Sequence, residues 1–310
     1  MKSFLLLTLI AALIIINGND YSASAQDRQD FTALTGEYLG QKPPGPAPEL
    51  FAPGIISVEE NFEHSAAVFS PDKKEVFWCT NVKMYTDKRI IGNLRLYYMK
   101  MIDGKWTSPR PAPFTNNIRV ERPVFSPDGS RLYIEYGSNP NYESDTDIYV
   151  VERTGEGWSD PVPVSPMINS PAWERLHCVT ADGSLYFTRD LLTRNEEIFI
   201  SRFVDGEFTE PEKLGKSYNS DAAEIVILIA PDEHYMLICQ KNEQHSSDLY
   251  ICYKKPDGTW TERIKTPYYC GGFLALSPDG KYLFLLNEGI CWVDTSFIEA
   301  LKPDELKENQ

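Results

Sequence analysis

The chain reads as an all-β protein, a five-bladed β-propeller of four-stranded antiparallel blades, and three observations predict it. One phrase recurs five times: AVFSPDKKEVFW from Ala67, RPVFSPDGSRLYI from Arg122, HCVTADGSLYF from His177, LIAPDEHYMLI from Leu228 and LALSPDGKYLF from Leu274. The aspartates of these phrases, Asp72, Asp128, Asp182, Asp232 and Asp279, are spaced by 56, 54, 50 and 47 residues, a period that suits blades built from short strands. Apolar runs flank every turn on both sides, as strands sandwiched between neighbouring sheets require. Six blades is the alternative, should residues 27–58 contain more than one strand.

Taken in chain order, the first element is a leader. Lys2, the apolar run Phe4–Ile16 and the small residues Ala23 and Ala25 form a secretory signal peptide over residues 1–25, cleaved after Ala25. The run is shorter than the roughly 20 residues a spanning helix needs, so no membrane span is expected. With no cysteine at the cleavage site to carry a lipid, the expected location is the periplasm or the medium. Residues 26–48 form an extension that ends in the extended linker Lys42-Pro-Pro-Gly-Pro-Ala47. The propeller is expected over residues 49–295.

Within each repeat the innermost strand ends at the Ser-Pro-Asp-Gly turn, where proline sets φ, aspartate bonds the backbone ahead and glycine takes positive φ. The second strands are Val76–Cys79, Leu132–Ile134, Leu185–Phe187, Met236–Ile238 and Leu283–Leu285. Third strands follow at Leu96–Met99, Asp147–Val150, Glu197–Ile200, Asp248–Ile251 and Gly289–Val293. A glycine turn then leads to an aromatic, Trp106, Trp158, Phe208 or Trp260, and three of these four reach a proline suited to an edge strand: Pro109, Pro161 and Pro211. The fifth repeat has no such outer strand. Pro48–Ser57, similar in its proline and apolar spacing, is predicted to supply it and so close the ring. Residues 296–310 are expected to form a short C-terminal helix and tail, opened by a Ser296…Glu299 capping box.

Two departures from the repeat stand out. Lys73 and Glu233 occupy the turn position held elsewhere by Gly129, Gly183 and Gly280, which implies either strained positive φ or a different turn. The first repeat carries the longest connection between second and third strands, Thr80–Asn93, with Lys83, Lys88 and Arg89. Long insertions on one face of a repeat are frequent binding elements.

With its five SPDG-type turns, its D-I-Y-V strands and its G-x-W turns, the chain resembles the WD40-like, TolB-type β-propeller repeat family over about residues 50–293. The resemblance implies four-stranded blades around a central channel in an exported bacterial protein. Family members include non-catalytic binders of envelope proteins and the propeller domains of prolyl-oligopeptidase-type peptidases. It implies no particular ligand.

Composition narrows the partners. A formal net charge of −15 opposes nucleic acid and anionic lipid. The six cysteines, Cys79, Cys178, Cys239, Cys252, Cys270 and Cys291, fall mostly in apolar strand segments, where a free thiol packs as a small hydrophobe. Cys239 with Cys252, flanking one hairpin, is the pair most open to bridging. No G-x-S-x-G elbow and no sialidase-type Asp box occurs. His64 and His177 lie at even and odd offsets from their turn aspartates, which argues against a shared metal; no metal or cofactor is expected.

One constellation could carry binding. Glu63-His64, Glu121-Arg122, Glu174-Arg175 and Glu224 stand near the starts of four innermost strands, where blades converge. They could ring a channel mouth that takes a cation or a basic peptide. Alternatively they pair with Arg122, Arg175 and backbone N–H groups and hold blade to blade. The expected function is a non-enzymatic binding or scaffold module, assumed monomeric, that recognises protein or peptide at the channel mouth. The alternative is a carbohydrate-active hydrolase or lyase using channel carboxylates.

Overall fold

The computed structural model describes residues 34–58, 62–86, 89–115, 119–137, 146–155, 157–190, 196–215, 218, 224–242 and 247–307, with the side chains of 62, 82–93, 190, 196 and 224–226 outside that description. The candidate leader, residues 1–25, also lies outside it.

Five antiparallel sheets follow one another along the chain. The first blade orders Val68–Phe69, Glu75–Thr86, Arg89–Ile102 and Arg110–Pro111 from axis to rim, with Phe62–Glu63 extending its innermost edge. The second orders Arg119–Phe125, Arg131–Gly137, Thr146–Thr154 and Val162–Pro163. Trp173–Val179, Leu185–Asp190, Glu196–Ser201 and Glu212–Lys213 build the third, and Glu224–Ile229, Tyr235–Lys241, Ser247–Tyr253 and Ile264–Tyr269 the fourth. In the fifth, Leu274–Leu276, Tyr282–Leu286 and Ile290–Asp294 are completed by Glu49–Leu50 from the other end of the propeller.

That pairing is the predicted closure. Glu49 sits opposite Trp292 and Leu50 opposite Cys291, and the Phe51 N–H donates to the Ile290 carbonyl at 2.8 Å. The ladder is shorter than Pro48–Ser57, because Ala52 takes φ 44° and the chain turns back, with Gly54 N–H bonded to the Ser57 carbonyl. Ser57 Oγ still reaches the Ile290 backbone. Five blades, not six, result.

Residues before the closing strand do more than link. Tyr38 and Leu39 are buried, and Tyr38 packs against Phe69 of the first blade and Tyr282, Phe284 and Trp292 of the fifth. Phe51 touches Phe69, Phe284 and Trp292 from the other side. Trp106 donates to the Gly36 carbonyl, and Gln41 bonds the backbone of Leu50 and Ala52. Residues 34–58 are therefore a clasp across the seam between first and last blades. The other four seams are filled by apolar clusters, such as Phe77 and Leu96 against Leu132 and Ile134. Each such fully buried side chain contributes roughly 1.5–3 kcal/mol.

Three expectations need correction. Most of Thr80–Asn93 is not a loop: the ladder runs unbroken from Glu75 opposite Lys100 to Thr86 opposite Arg89, so Lys83 and Arg89 lie on an extended two-stranded ribbon, while Lys88 lies outside the described residues. Cys239 is bridged to Cys270, not to Cys252. Cys239 stands opposite Leu249 while Cys252 stands opposite Met236, three positions along the ladder and out of reach. Cys79, Cys178, Cys252 and Cys291 are free and buried, as apolar packing predicts. The helix Ser296–Ala300 forms as expected, but Thr295 is its N-cap residue and the Asp294 carboxylate receives the Ser296 N–H, so no Ser296 capping box exists.

The two anomalous turns keep the glycine conformation. Lys73 has φ 57° and Glu233 φ 58°, at a cost of about 1–2 kcal/mol each. Both are engaged across seams. Lys73 donates to Asp279 of the fifth blade and Glu37 of the clasp, each at 2.9 Å. Glu233 accepts from Tyr186 and Arg202 of the third blade, at 2.8 and 2.9 Å.

Replacing Phe51 by alanine removes an aromatic that is wholly buried in the clasp and should destabilise the protein by about 3–5 kcal/mol. Urea unfolding checks this, and a loss below about 1 kcal/mol would mean that the ring closes without the clasp.

Candidate functional site

The five innermost strands surround an axial channel, and its two ends differ. Four of the innermost strands start near a glutamate, and four, all but the third, end at a proline-bearing turn. Near the turn end the channel widens into a cavity of about 320 Å³. Val68, Phe69, Val124, Leu228, Ile229 and Leu276 are among the residues that line it, and Pro71, Pro127, Pro231 and Pro278 form its rim. Among the described residues, no Asp, Glu, Lys or Arg lines the cavity. The hydroxyls of Ser126 and Ser277, also in the lining, are committed to Asp128 and Asp279.

Toward the strand starts the channel closes. Arg122 sits at a β-bulge with φ 47°, which turns its side chain across the axis. Its guanidinium lies 4.4 Å from the centroid of Phe273, at the entry to the fifth blade, and His64 packs against the same ring. A cavity of about 30 Å³ is left there, between Ser65, Arg122, His177 and Phe273. Among the described residues the channel is thus a blind pocket, open on the turn side.

The sequence-predicted glutamates lie at the closed end, and their carboxylates are taken up internally. Glu63 is buried and accepts the Val58 N–H at 3.0 Å; burial raises its pKa. Glu121 lies 3.1 Å from His64 Nδ1 of the first blade and is paired with Arg119. Burial alone would raise its pKa, but His64, Arg119 and Arg122 outweigh that and hold it at about 2. Glu174, with 0% exposure, accepts from Ser170 at 2.6 Å and from Arg189 at 2.9 Å, and burial raises its pKa. Arg175 bears electrostatically on Glu135 and His177. The Glu224 side chain lies outside the described residues. Of these, only Glu121 reaches another blade, through His64; Glu63 is bonded to the segment just before the first blade and Glu174 within the third blade and the turn before it.

Two residues that matter here went unassigned by sequence reasoning. Glu135, opposite Glu121 in the ladder, is buried between the second and third blades. It accepts the Leu176 N–H at 2.8 Å and lies 3.0 Å from Arg122 Nε. Burial pushes its pKa up to about 7 against the opposing pull of Arg122, with Glu121 adding to the rise. A charge inside the apolar run Leu132-Tyr-Ile-Glu-Tyr136 was its visible signal. The other is His177, considered above only as a metal ligand. It lines the cavity, is buried, and bonds Thr188 through Nε2, while burial and the nearby Arg122 and Arg175 hold its pKa well below the usual imidazole range.

No protein-family model matches the chain, and no curated protein matches it. Among solved structures it is similar to a putative TolB from Agrobacterium tumefaciens, with 19% identity over 71% of this chain and 68% of that one, at a TM-score of 0.46. It is also similar to prolyl oligopeptidase B from Galerina marginata, with 15% identity over 72% of this chain and a TM-score of 0.43. The chain spans only 30% of that peptidase's length. A periplasmic gluconolactonase from Pseudomonas aeruginosa shares 16% identity over 73% of this chain and 65% of its own, at a TM-score of 0.39. The strand pairings, rather than these likenesses, carry the fold.

The two paired glutamates titrate with opposite sign. A raised Glu135 binds its proton more tightly when folded, so its stabilising contribution is full below the unfolded pKa near 4.5 and is lost as pH rises through about 7. A depressed Glu121 contributes above about 4.5, and that contribution is lost as pH falls through about 2. Stability from this pair should peak near pH 5. Glu135→Gln should flatten the decline between pH 5 and 8, on the order of 2 kcal/mol, and spare the acid limb. Urea titrations at pH 3, 5 and 8 decide the matter: an undiminished decline in the variant would place its source elsewhere.

Proposed function

We propose that this chain is an exported, non-catalytic binding propeller that recognises a protein or peptide by seating one apolar side chain in the blind pocket at the turn-side mouth. The observation that carries this reading is the contrast between the two ends of the channel. An uncharged apolar cavity is open at one end, while the glutamates at the other are saturated by internal partners.

Charge at the rim adds a preference. Each rim proline is followed by its turn aspartate, and a fifth, Asp182, follows Ala181 in the third blade. These carboxylates accept Ser or Thr hydroxyls or backbone N–H groups of their own turns, which help hold Asp72, Asp128, Asp182, Asp232 and Asp279 below the ordinary carboxylate pKa. They remain ionised at neutral pH. An apolar anchor flanked by Lys or Arg fits such a mouth: the anchor supplies the desolvated contact, and the basic flanks supply steering and register. A glycosidase would instead need two acids roughly 5–9 Å apart and open to the substrate.

Export is supported by the leader composition and by the Cys239–Cys270 bridge, a linkage suited to an oxidising compartment. By chain-entropy bookkeeping, its closure of a 31-residue separation stabilises the fold by about 3–4 kcal/mol. When the full chain is expressed in a Gram-negative bacterium, N-terminal sequencing of the periplasmic fraction should read from Gln26. Cytoplasmic retention with an intact Met1 would contradict export.

Binding can be tested by displaying random peptides against the folded protein. Leu276 lines the cavity and is half-buried, so Leu276→Asp places a charge in the pocket with little loss of core. Selected peptides should share an apolar residue with basic flanks and bind the variant at least tenfold more weakly. Equal binding to the variant, or turnover of a polysaccharide panel by the wild type, would overturn the proposal.

A further inference from the structure

Inside the blind pocket, one polar side-chain atom is unspent. Nδ1 of His177 is buried and has no hydrogen-bond partner among the described residues. The ring is held in place through Nε2 on Thr188, in the adjacent strand of the same blade. His177 lines both the 320 Å³ cavity and the small space beyond it, so it stands at the pocket's floor. A buried nitrogen without a partner costs about 1–3 kcal/mol, and such groups in folded proteins normally find a partner in a bound molecule or a water. The remaining polar side chains of the lining are committed: Ser126 and Ser277 to their turn aspartates, and the Cys178 sulfur to the Ile229 N–H. The floor therefore offers a single directional contact beneath apolar walls.

We infer that the side chain seated in this pocket is a tyrosine, with its hydroxyl bonded to His177 Nδ1. This rests on the binding reading above and names the group that the mouth selects. Three considerations lead to a phenol. A cavity of 150 Å³ is enough for benzene, so 320 Å³ admits a tyrosine ring with its Cβ. The absence of charged residues in the lining disfavours a charged anchor, whose desolvation nothing would offset. A neutral imidazole bonded through Nε2 presents Nδ1 either as donor or as acceptor, according to its tautomer. A phenol hydroxyl satisfies both cases, an indole N–H only one, and a phenylalanine ring neither.

Small probes separate this inference from the reading beneath it. Toluene and p-cresol share size and apolar face, and differ by the hydroxyl. NMR titration of the wild-type protein should show both binding, with p-cresol at least tenfold tighter, and p-cresol should shift the His177 ring resonances. His177→Phe should keep toluene binding while shrinking the p-cresol advantage below about threefold. His177→Asn, which retains a hydrogen-bonding tip, should recover part of it and guards against a folding defect in the first variant. If both probes bind wild type with equal affinity, or the p-cresol advantage survives His177→Phe, the tyrosine inference fails while the pocket stands. Tightest binding by benzoate would likewise overturn it, in favour of an anion drawn toward Arg122. If neither toluene nor p-cresol binds, the pocket itself is not a binding site and the reading above it fails as well.

Discussion

The structure depends on ring closure between a fifth blade that lacks its own outer strand and a first blade that begins at Phe62. An open five-sheet arc would expose two unpaired edges and the apolar faces behind them. Closure is achieved by two backbone pairs, Glu49 with Trp292 and Leu50 with Cys291, which alone could not hold a seam of that size. Most of the work falls to aromatic packing. Tyr38 and Phe51, from the clasp, enter a layer of Phe69, Phe284 and Trp292 shared by the two blades. Edge-to-face contacts of this kind add about 0.5–1.5 kcal/mol per pair beyond the area they bury.

Electrostatics then fix one blade against the next. Glu75 of the first blade takes Arg153 of the second at 2.7 Å, Glu135 of the second takes the Leu176 N–H of the third, and Glu233 of the fourth takes Arg202 and Tyr186 of the third. Lys73 and Asp279 do the same at the closure. Partly buried ion pairs are a modest source of net stability, because desolvation offsets much of the attraction. Their geometry is directional, however, and a propeller whose interblade cores are all Leu, Ile and Phe would have little else to set rotation of one sheet on its neighbour. The positive φ at Lys73 and Glu233 is consistent with that role. A glycine there would relax the turn and leave the seam without its peg.

Much of this was legible in the residues. The five turn aspartates gave the blade count, and the missing outer strand after Val293, set beside Pro48–Ser57, gave the closure. The lysine and glutamate at glycine positions marked the two strained turns. What escaped depends on contacts between segments remote in sequence. Cys239, on the second strand of the fourth blade, and Cys270, just past the outer strand that pairs with the third, meet across 31 residues of sequence, a register no local pattern encodes. Thr80–Asn93 alternates too weakly to separate a loop from a ribbon. The site was half visible: glutamates at the strand starts were found, but strand offsets alone could not show that a bulge at Arg122 would turn its guanidinium across the axis and close that end.

That plug changes what the channel can do. An axial hole open at both ends is filled by water and offers an incoming group no floor. With Arg122 stacked on Phe273 and held by Glu135, the same five strands, among the described residues, enclose an apolar space closed at the strand starts. The charges that close the inner end are neutralised among themselves, whereas Asp72, Asp128, Asp182 and Asp232 at the entrance are ionised and exposed, Asp279 being taken up by Lys73 and Tyr38. On the binding reading proposed above, a ligand would meet attraction for basic flanks outside, desolvated apolar walls within, and the His177 Nδ1 at the base. Each layer discriminates by a different physical property, charge, then polarity, then hydrogen bonding. On that reading, the selectivity of the mouth would trace to the same bulge that gives the second blade its irregular innermost strand.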